Sequence, residues 1–338
     1  MAIRGIPAAV LIAPDSFKGT LSATEVAAAI ASGVRAAGRE AWELPVADGG
    51  EGTLDALAGP LGLARVASAA SDPLGREIIT AYGLAPALRG RHIAVVEAAA
   101  ASGLTLVDPA DRDPVAASSA GTGELIAAAV AAGATDIHVA VGGSASTDGG
   151  AGAVRAIERA GGIADARLTV LCDVRTPFED AARVFAPQKG ATPAQVRALT
   201  DRLHRDADQF AALYGRDPRG LAMTGAAGGL AGGLWAAFGA QLAPGAPFVL
   251  DLIGFDERMR AARSVITGEG RLDAQSLVGK LVGEVATRAR QAGVPCDAVV
   301  GRDELSRFDR RILDLQRVLQ AGTVEELQAA GDELARLL

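Results

Sequence analysis

Three lysines and three loops that combine acids with glycines are the residues of this sequence best suited to chemistry. Of its 33 basic residues all but Lys18, Lys189 and Lys280 are arginine. Each of the three stands beside a glycine, in Phe17-Lys18-Gly19, Gln188-Lys189-Gly190 and Gly279-Lys280. A GC-rich genome explains the scarcity of lysine but not these positions. Lysine is a compact point charge on a flexible stem, suited to a phosphate oxygen in a crowded site where the planar fork of arginine is harder to fit. Chance placement is the competing explanation.

The loops are Asp48-Gly-Gly-Glu51-Gly-Thr53, Gly142-Gly-Ser144-Ala-Ser-Thr147-Asp148-Gly-Gly150 and Gly268-Glu269-Gly270-Arg271-Leu-Asp273. Each follows an apolar run of strand length. In open α/β sheets ligands bind beyond the carboxyl ends of the strands. Glycines there let backbone N–H groups approach an anion, and the next helix offers its positive N-terminus. Carboxylates in the same loops repel an anion unless they hold Mg2+ or act as a base. Mg2+ reconciles the two, because it takes one or two carboxylates together with phosphate oxygens. A single loop of this kind also reads as an ordinary left-handed turn with solubilising acids. A P-loop is absent, since Gly279-Lys280 lacks the upstream glycine and the following hydroxyl residue. The third glycine of a dinucleotide fingerprint is missing after Gly268-x-Gly270.

The elements that must position these loops alternate between short apolar strands and Ala-rich helices. Ser22-Ala-Thr-Glu25 forms a capping box ahead of a helix from Val26. Residues 64–96 read as antiparallel strands with turns at Asp72-Pro73-Leu74-Gly75 and Tyr82-Gly83. A single close-packed helix is expected over 225–240, and another over 276–292. Both ends of the chain look like βαβ units, which favours a parallel, doubly wound sheet. The expected fold is therefore α/β: a Rossmann-like parallel-sheet domain built from both termini (1–62 plus 256–338), an inserted mixed α/β domain (63–255), and an active site in the cleft between them.

Length and composition agree with two domains. The chain has 338 residues, 49% of them apolar, and a formal charge of -7. No basic stripe argues for nucleic acid. The two cysteines, Cys172 and Cys296, form no Cys-x-x-Cys pair, and His92, His138 and His204 are scattered. Zinc chemistry and a Ser-His-Asp triad are poor guesses on that pattern. Residues 1–14 read as a buried strand rather than a leader, and no uninterrupted apolar run reaches membrane-spanning length. A cytoplasmic enzyme that contacts neither membrane nor nucleic acid is expected, with a homodimer left open.

Taken together the motifs become specific. Asp15-Ser-Phe-Lys18-Gly-Thr-Leu-Ser-Ala23, Ala47-Asp-Gly-Gly-Glu-Gly-Thr53, Asp72-Pro-Leu-Gly-Arg76, Gly121-Thr-Gly-Glu-Leu-Ile126, Gly142-Gly-Ser-Ala145, Asp148-Gly-Gly150, Cys172-Asp-Val174, Phe185-Ala-Pro-Gln-Lys-Gly-Ala191 and Ile266-Thr-Gly-Glu-Gly-Arg-Leu-Asp273 occur in order. Their joint pattern resembles the bacterial glycerate kinase family, the type unrelated in sequence to P-loop kinases. The resemblance runs from about Val10 to Ala286. It departs at Thr176-Pro177, where the family has Asn-Pro, at Glu179-Asp180-Ala181, where glycines are usual, and at Ala186, where glycine is usual.

The resemblance implies phosphorylation of D-glycerate with ATP and Mg2+ as cofactors, and 2-phosphoglycerate as the usual bacterial product. Rival acceptors are another small hydroxy acid or polyol; a rival class is a non-catalytic sensor of an organic acid or nucleotide. On this reading Lys18, Lys189 and Lys280 contact phosphates or the substrate carboxylate. Asp48 and Asp148 are candidates for the base. Asp173, Glu269 and Asp273 are candidates for Mg2+. Arg76 and Arg271 clamp the substrate carboxylate, since a guanidinium matches it bidentately. Ser16, Gly142, Gly143, Ser144 and Thr147 bind phosphate or substrate hydroxyls. Lys18→Met should abolish turnover while far-UV circular dichroism and melting stay native-like; wild-type turnover in that variant would remove Lys18 from the mechanism.

Overall fold

The computed structural model describes residues 9–87, 90–274, 276 and 280–338. Eleven strands are found among them. They are β1 Ala9–Pro14, β2 Glu40–Glu43, β3 Ala64–Ser71, β4 Glu77–Leu84, β5 Ile93–Glu97 and β6 Asp136–Ala140. The rest are β7 Arg167–Cys172, β8 Gln241–Pro244, β9 Ser264–Leu272, β10 Cys296–Asp303 and β11 Val318–Gln320. The chain divides into two compact units, one of Met1–Asp48, Asp55–Leu57 and Ala246–Leu338, the other of Gly49–Leu54 and Ala58–Gly245. The sequence reading places the boundaries at 62/63 and 255/256 instead.

The terminal unit is the expected Rossmann-like body. Its sheet has the order β11-β10-β9-β1-β2, with every pairing parallel. The apolar run Ala-Val-Leu-Ile-Ala-Pro of β1 is buried throughout, as a central parallel strand covered on both faces should be. The helix Ala23–Ala36 starts where the capping box predicts: Ser22 accepts from Glu25 N–H while the Glu25 carboxylate takes Ser22 N–H. It buries Val26, Ala27, Ile30, Ala31 and Val34, a helical stripe. That stripe and the helix Val324–Arg336 share one core. Glycine sets their approach, since a Cβ on Gly33 would lie 1.9 Å from the Gln328 carbonyl oxygen.

The middle unit carries the mixed sheet β3-β4-β5-β6-β7-β8. β3, β4 and β5 pair antiparallel, as residues 64–96 predict, although Tyr82-Gly83, expected as a turn, lies inside β4, and β5 to β8 are parallel. The α/β class and the parallel and mixed sheets match the expectation.

Local differences have physical causes. β8 is missing from the sequence reading because four residues ending in proline carry no periodicity. Over 225–240 a 3-10 segment, with Ala227 and Gly228 in left-handed conformation, precedes the helix Leu230–Phe238. β9 and β10 run further than their apolar cores suggest. Glycines and charges in 268–272 and 301–303 imitate a turn, yet these residues still pair across the two strands. The helix expected over 276–292 spans Leu281–Ala292, with Lys280 extended before it; Gly279, beside Lys280, lies outside the described residues. Among the described residues no helix is long and apolar enough to cross a membrane.

Candidate functional site

Two cavities collect most of the residues singled out by sequence. The first, of about 710 Å³, lies within the terminal unit at the carboxyl ends of its strands. Ser16 and Lys18 reach it after β1, and Asp48 after β2; Glu269, Arg271 and Asp273 come from the end of β9 and just beyond it, and Lys280 from the start of the next helix. Lys18 Nζ donates to Asp48 Oδ2 at 3.2 Å. A helix running unbroken over 276–292 would set Lys280 more than a turn beyond Ser276. Instead Lys280 caps the helix Leu281–Ala292 and faces Asp273 at 3.8 Å. Glu269 accepts from Ser276 Oγ, but burial still pushes its carboxyl up to about 7.

The second cavity, of about 360 Å³, lies within the middle unit. Gly142, Gly143 and Ser144 face it after β6, Asp173 after β7, and Lys189 after the short helix Ala181–Phe185. Lys189 is only 3% exposed. Its ammonium donates to Ser144 Oγ at 3.1 Å and to the Ser146 carbonyl. Burial drives its pKa down to about 7, against the opposing pull of Asp148. A buried ammonium near its titration point, facing a cavity, is suited to a small anion that restores its charge.

Asp148 is built differently from a base. Its Oδ2 accepts from Ser118 Oγ, from Ser119 N–H and Oγ and from Gly152 N–H, and its Oδ1 accepts from Gly150 N–H. It lines neither cavity. The carboxylate ties the start of the helix Ala120–Ala131 to the start of the helix Ala151–Arg159. Thr147 is fully buried, lines neither cavity, and its Oγ1 has no hydrogen-bond partner among the described residues. Arg76 is committed to Asp72 and to the Leu106 carbonyl at 3.2 Å, so it braces the turn it closes. The glycines of 228–233 serve packing: a Cβ on Gly228 would lie 2.1 Å from the Ser146 carbonyl oxygen, and one on Gly233 2.4 Å from that of Gly149.

With this geometry in hand the comparisons are decisive. The model of the glycerate kinase family matches residues 10–160 and 157–326. The chain belongs to the glycerate kinase family. It is 38% identical to the glycerate kinase of Halalkalibacterium halodurans, over 86% of this chain and 85% of that one. It is 37% identical to the glycerate 2-kinase of Escherichia coli, over 97% and 95%. A crystal structure from Salmonella typhimurium LT2, assigned as glycerate kinase 2, superposes with a TM-score of 0.83 at 35% identity and covers 97% of each chain. A glycerate kinase is a phosphotransferase, so the chain is an enzyme of that class.

Several residues of this glycerate kinase fold escaped the sequence reading. Asp15 lines the terminal cavity, and burial together with the nearby Asp48 raises its carboxyl to about 7. It stands first in the quoted Asp15-Ser-Phe-Lys18 motif, so position at a strand end was the available signal. Arg302 lines the same cavity, and Glu51, Thr105 and Gln188 line the other. Among the described residues no three His, Cys, Asp or Glu side chains converge to hold a metal unaided. Asp173 and the pair Glu269 and Asp273 face different cavities. The donor set of the terminal cavity still fits an ion of the Mg2+ type, which needs few carboxylates when phosphate oxygens complete its shell.

The role of Asp148 can be tested directly. Asp148→Asn should lower unfolding stability by about 1.5–3 kcal/mol, the range for hydrogen bonds to a charged group, as measured by urea denaturation. A base without a structural role would leave the urea midpoint unmoved.

Proposed function

We propose that this chain transfers the γ-phosphoryl group of ATP to the 2-hydroxyl of D-glycerate, releasing 2-phosphoglycerate and ADP. The observation that carries this is the likeness to the Escherichia coli glycerate 2-kinase across nearly the whole chain, because that name specifies both acceptor and position. The two cavities support it. Phosphoryl transfer depends on positioning and on neutralising charge more than on covalent chemistry by the protein. Lysines beside cavity-facing carboxylates and a second cavity around a buried ammonium are the groups such a reaction requires.

In this reading Lys18 and Lys280 steady phosphate oxygens. Glu269 and Asp273 would hold Mg2+, which offsets charge on the phosphates when bound. Asp173 faces the other cavity and has no metal role here. Lys189, in its protonated form, pairs with the carboxylate of D-glycerate, and Gly142, Gly143 and Ser144 bind its remaining oxygens. Of the two candidate bases Asp48 lines a cavity, whereas Asp148 is enclosed by its five donors.

The deciding measurement is ADP release with D-glycerate, ATP and Mg2+, followed by identification of the phosphoglycerate isomer by NMR. Turnover restricted to other hydroxy acids, or formation of the 3-phosphate, contradicts the proposal. The same assay gives a pH signature. Lys189 is depressed to about 7, so it is charged below that pH and loses its proton above it. The kcat/KM for D-glycerate should therefore fall as the pH rises through about 7. A profile that stays level between about pH 6 and 9 removes Lys189 from carboxylate binding.

A further inference from the structure

We propose that the cavity of the terminal unit is the nucleoside triphosphate site, with Arg271 and Arg302 as a paired contact for its phosphates. This rests on the reading above that the phosphoryl donor is ATP. Four observations lead to it.

The first is topology. From β1 the chain proceeds to β2 on one side, whereas β9, β10 and β11 build outward on the other. The order therefore reverses between β1 and β9, and ligands of doubly wound sheets bind beyond the strand ends at such a switch point. Ser16 and Lys18 follow β1, and Glu269 and Arg271 end β9, so both sides of the switch face the cavity. In the middle unit β5, β6, β7 and β8 are parallel in simple chain order and offer no reversal.

The second is register. Arg302 on β10 pairs directly with Arg271 on β9, and both line the cavity. Like charges opposite one another on adjacent strands destabilise a sheet. Arg271 has Glu304 at 3.7 Å as a distant counter-charge. Arg302 makes no side-chain hydrogen bond or ion pair with another described residue. Two neighbouring guanidiniums with so little compensation are placed for a multiply charged anion, which each can grip with two parallel N–H groups.

The third is size. The cavity, at about 710 Å³, has roughly twice the volume of the one around Lys189, at about 360 Å³. A nucleotide needs the larger and a three-carbon acid does not. The fourth is the mixture of charge. Lys18, Lys280 and the two arginines share the cavity with Asp48, Glu269 and Asp273. A bare carboxylate ligand has no use for those acids, whereas a triphosphate carrying a divalent cation uses both signs.

The test is calorimetric titration of the full chain with two probes, the β,γ-imido analogue of ATP with Mg2+, and D-glycerate alone. Arg302→Ala, a change at an exposed side chain, should weaken the nucleotide analogue at least about tenfold and leave D-glycerate affinity unchanged. Ser144→Ala should do the reverse. Arg302→Lys should recover part of the nucleotide affinity, because charge returns without the fork. If Arg302→Ala weakens D-glycerate instead, weakens both probes alike, or weakens neither, the assignment fails. A wild-type chain that binds the analogue through Arg302 yet makes no phosphoglycerate overturns the proposed acceptor but retains this site.

Discussion

A lysine left 3% exposed must find its acceptors inside the protein, and the middle unit is organised around that requirement. An ammonium stripped of water is costly unless hydrogen bonds replace its hydration. Ser144 Oγ and the Ser146 carbonyl supply two of those bonds to Lys189. Both acceptors belong to the loop after β6, so satisfying the lysine also fixes that loop. The next residues are held as firmly. Arg202 donates to the Thr147 carbonyl at 2.6 Å, Asp148 gathers its five donors, and Gly149 N–H donates to the Gly228 carbonyl at 3.0 Å. What remains free to meet a ligand is the front of the loop, Gly142 to Ser144, with the ammonium behind it.

Such a loop can be this tightly held only if neighbouring backbone comes unusually close. The glycines at 228, 229, 232 and 233 permit it: each would drive a Cβ to within 2.1–2.8 Å of the 146–150 backbone, the Phe178 ring or both. Gly228 and Gly229 also adopt positive φ, which side chains rarely tolerate. Packing accounts for these four positions, whereas Gly142 and Gly143 line a cavity.

This contrast shows what the sequence could and could not convey. Strand-helix alternation, the Ser22 capping box and the antiparallel 64–96 segment were legible because periodicity and capping act over a few residues. The cavity positions of Lys18, Asp48, Glu269 and Ser144 followed from a general rule about strand ends. Asp148, Thr147 and Arg76 sit in equally suggestive motifs, yet their surroundings are structural. A carboxylate that accepts five hydrogen bonds looks the same in a sequence as one that faces solvent. The donors on Asp148 come from Ser118 and Ser119 as well as from its own loop, and no local pattern announces a bond across thirty residues. Arg302 was missed for the opposite reason: its place beside Arg271 at the cavity exists only once β9 and β10 are paired.

The terminal cavity poses the complementary electrostatic problem. Asp15 and Glu269 are both raised to about 7, chiefly by burial, with neighbouring carboxylates adding to the effect. Their folded-state values lie above the unfolded ones, so between about pH 4 and pH 7 the folded chain binds more protons than the unfolded chain. Whatever stability these groups contribute is complete at the acid end of that window and is lost as the pH rises through about 7. At neutral pH the cavity therefore holds carboxyls that burial keeps partly protonated. A bound cation opposes this by favouring the charged forms. Lys18 beside Asp15 and Lys280 beside Glu269 also pull against burial and lower the two carboxyls in part.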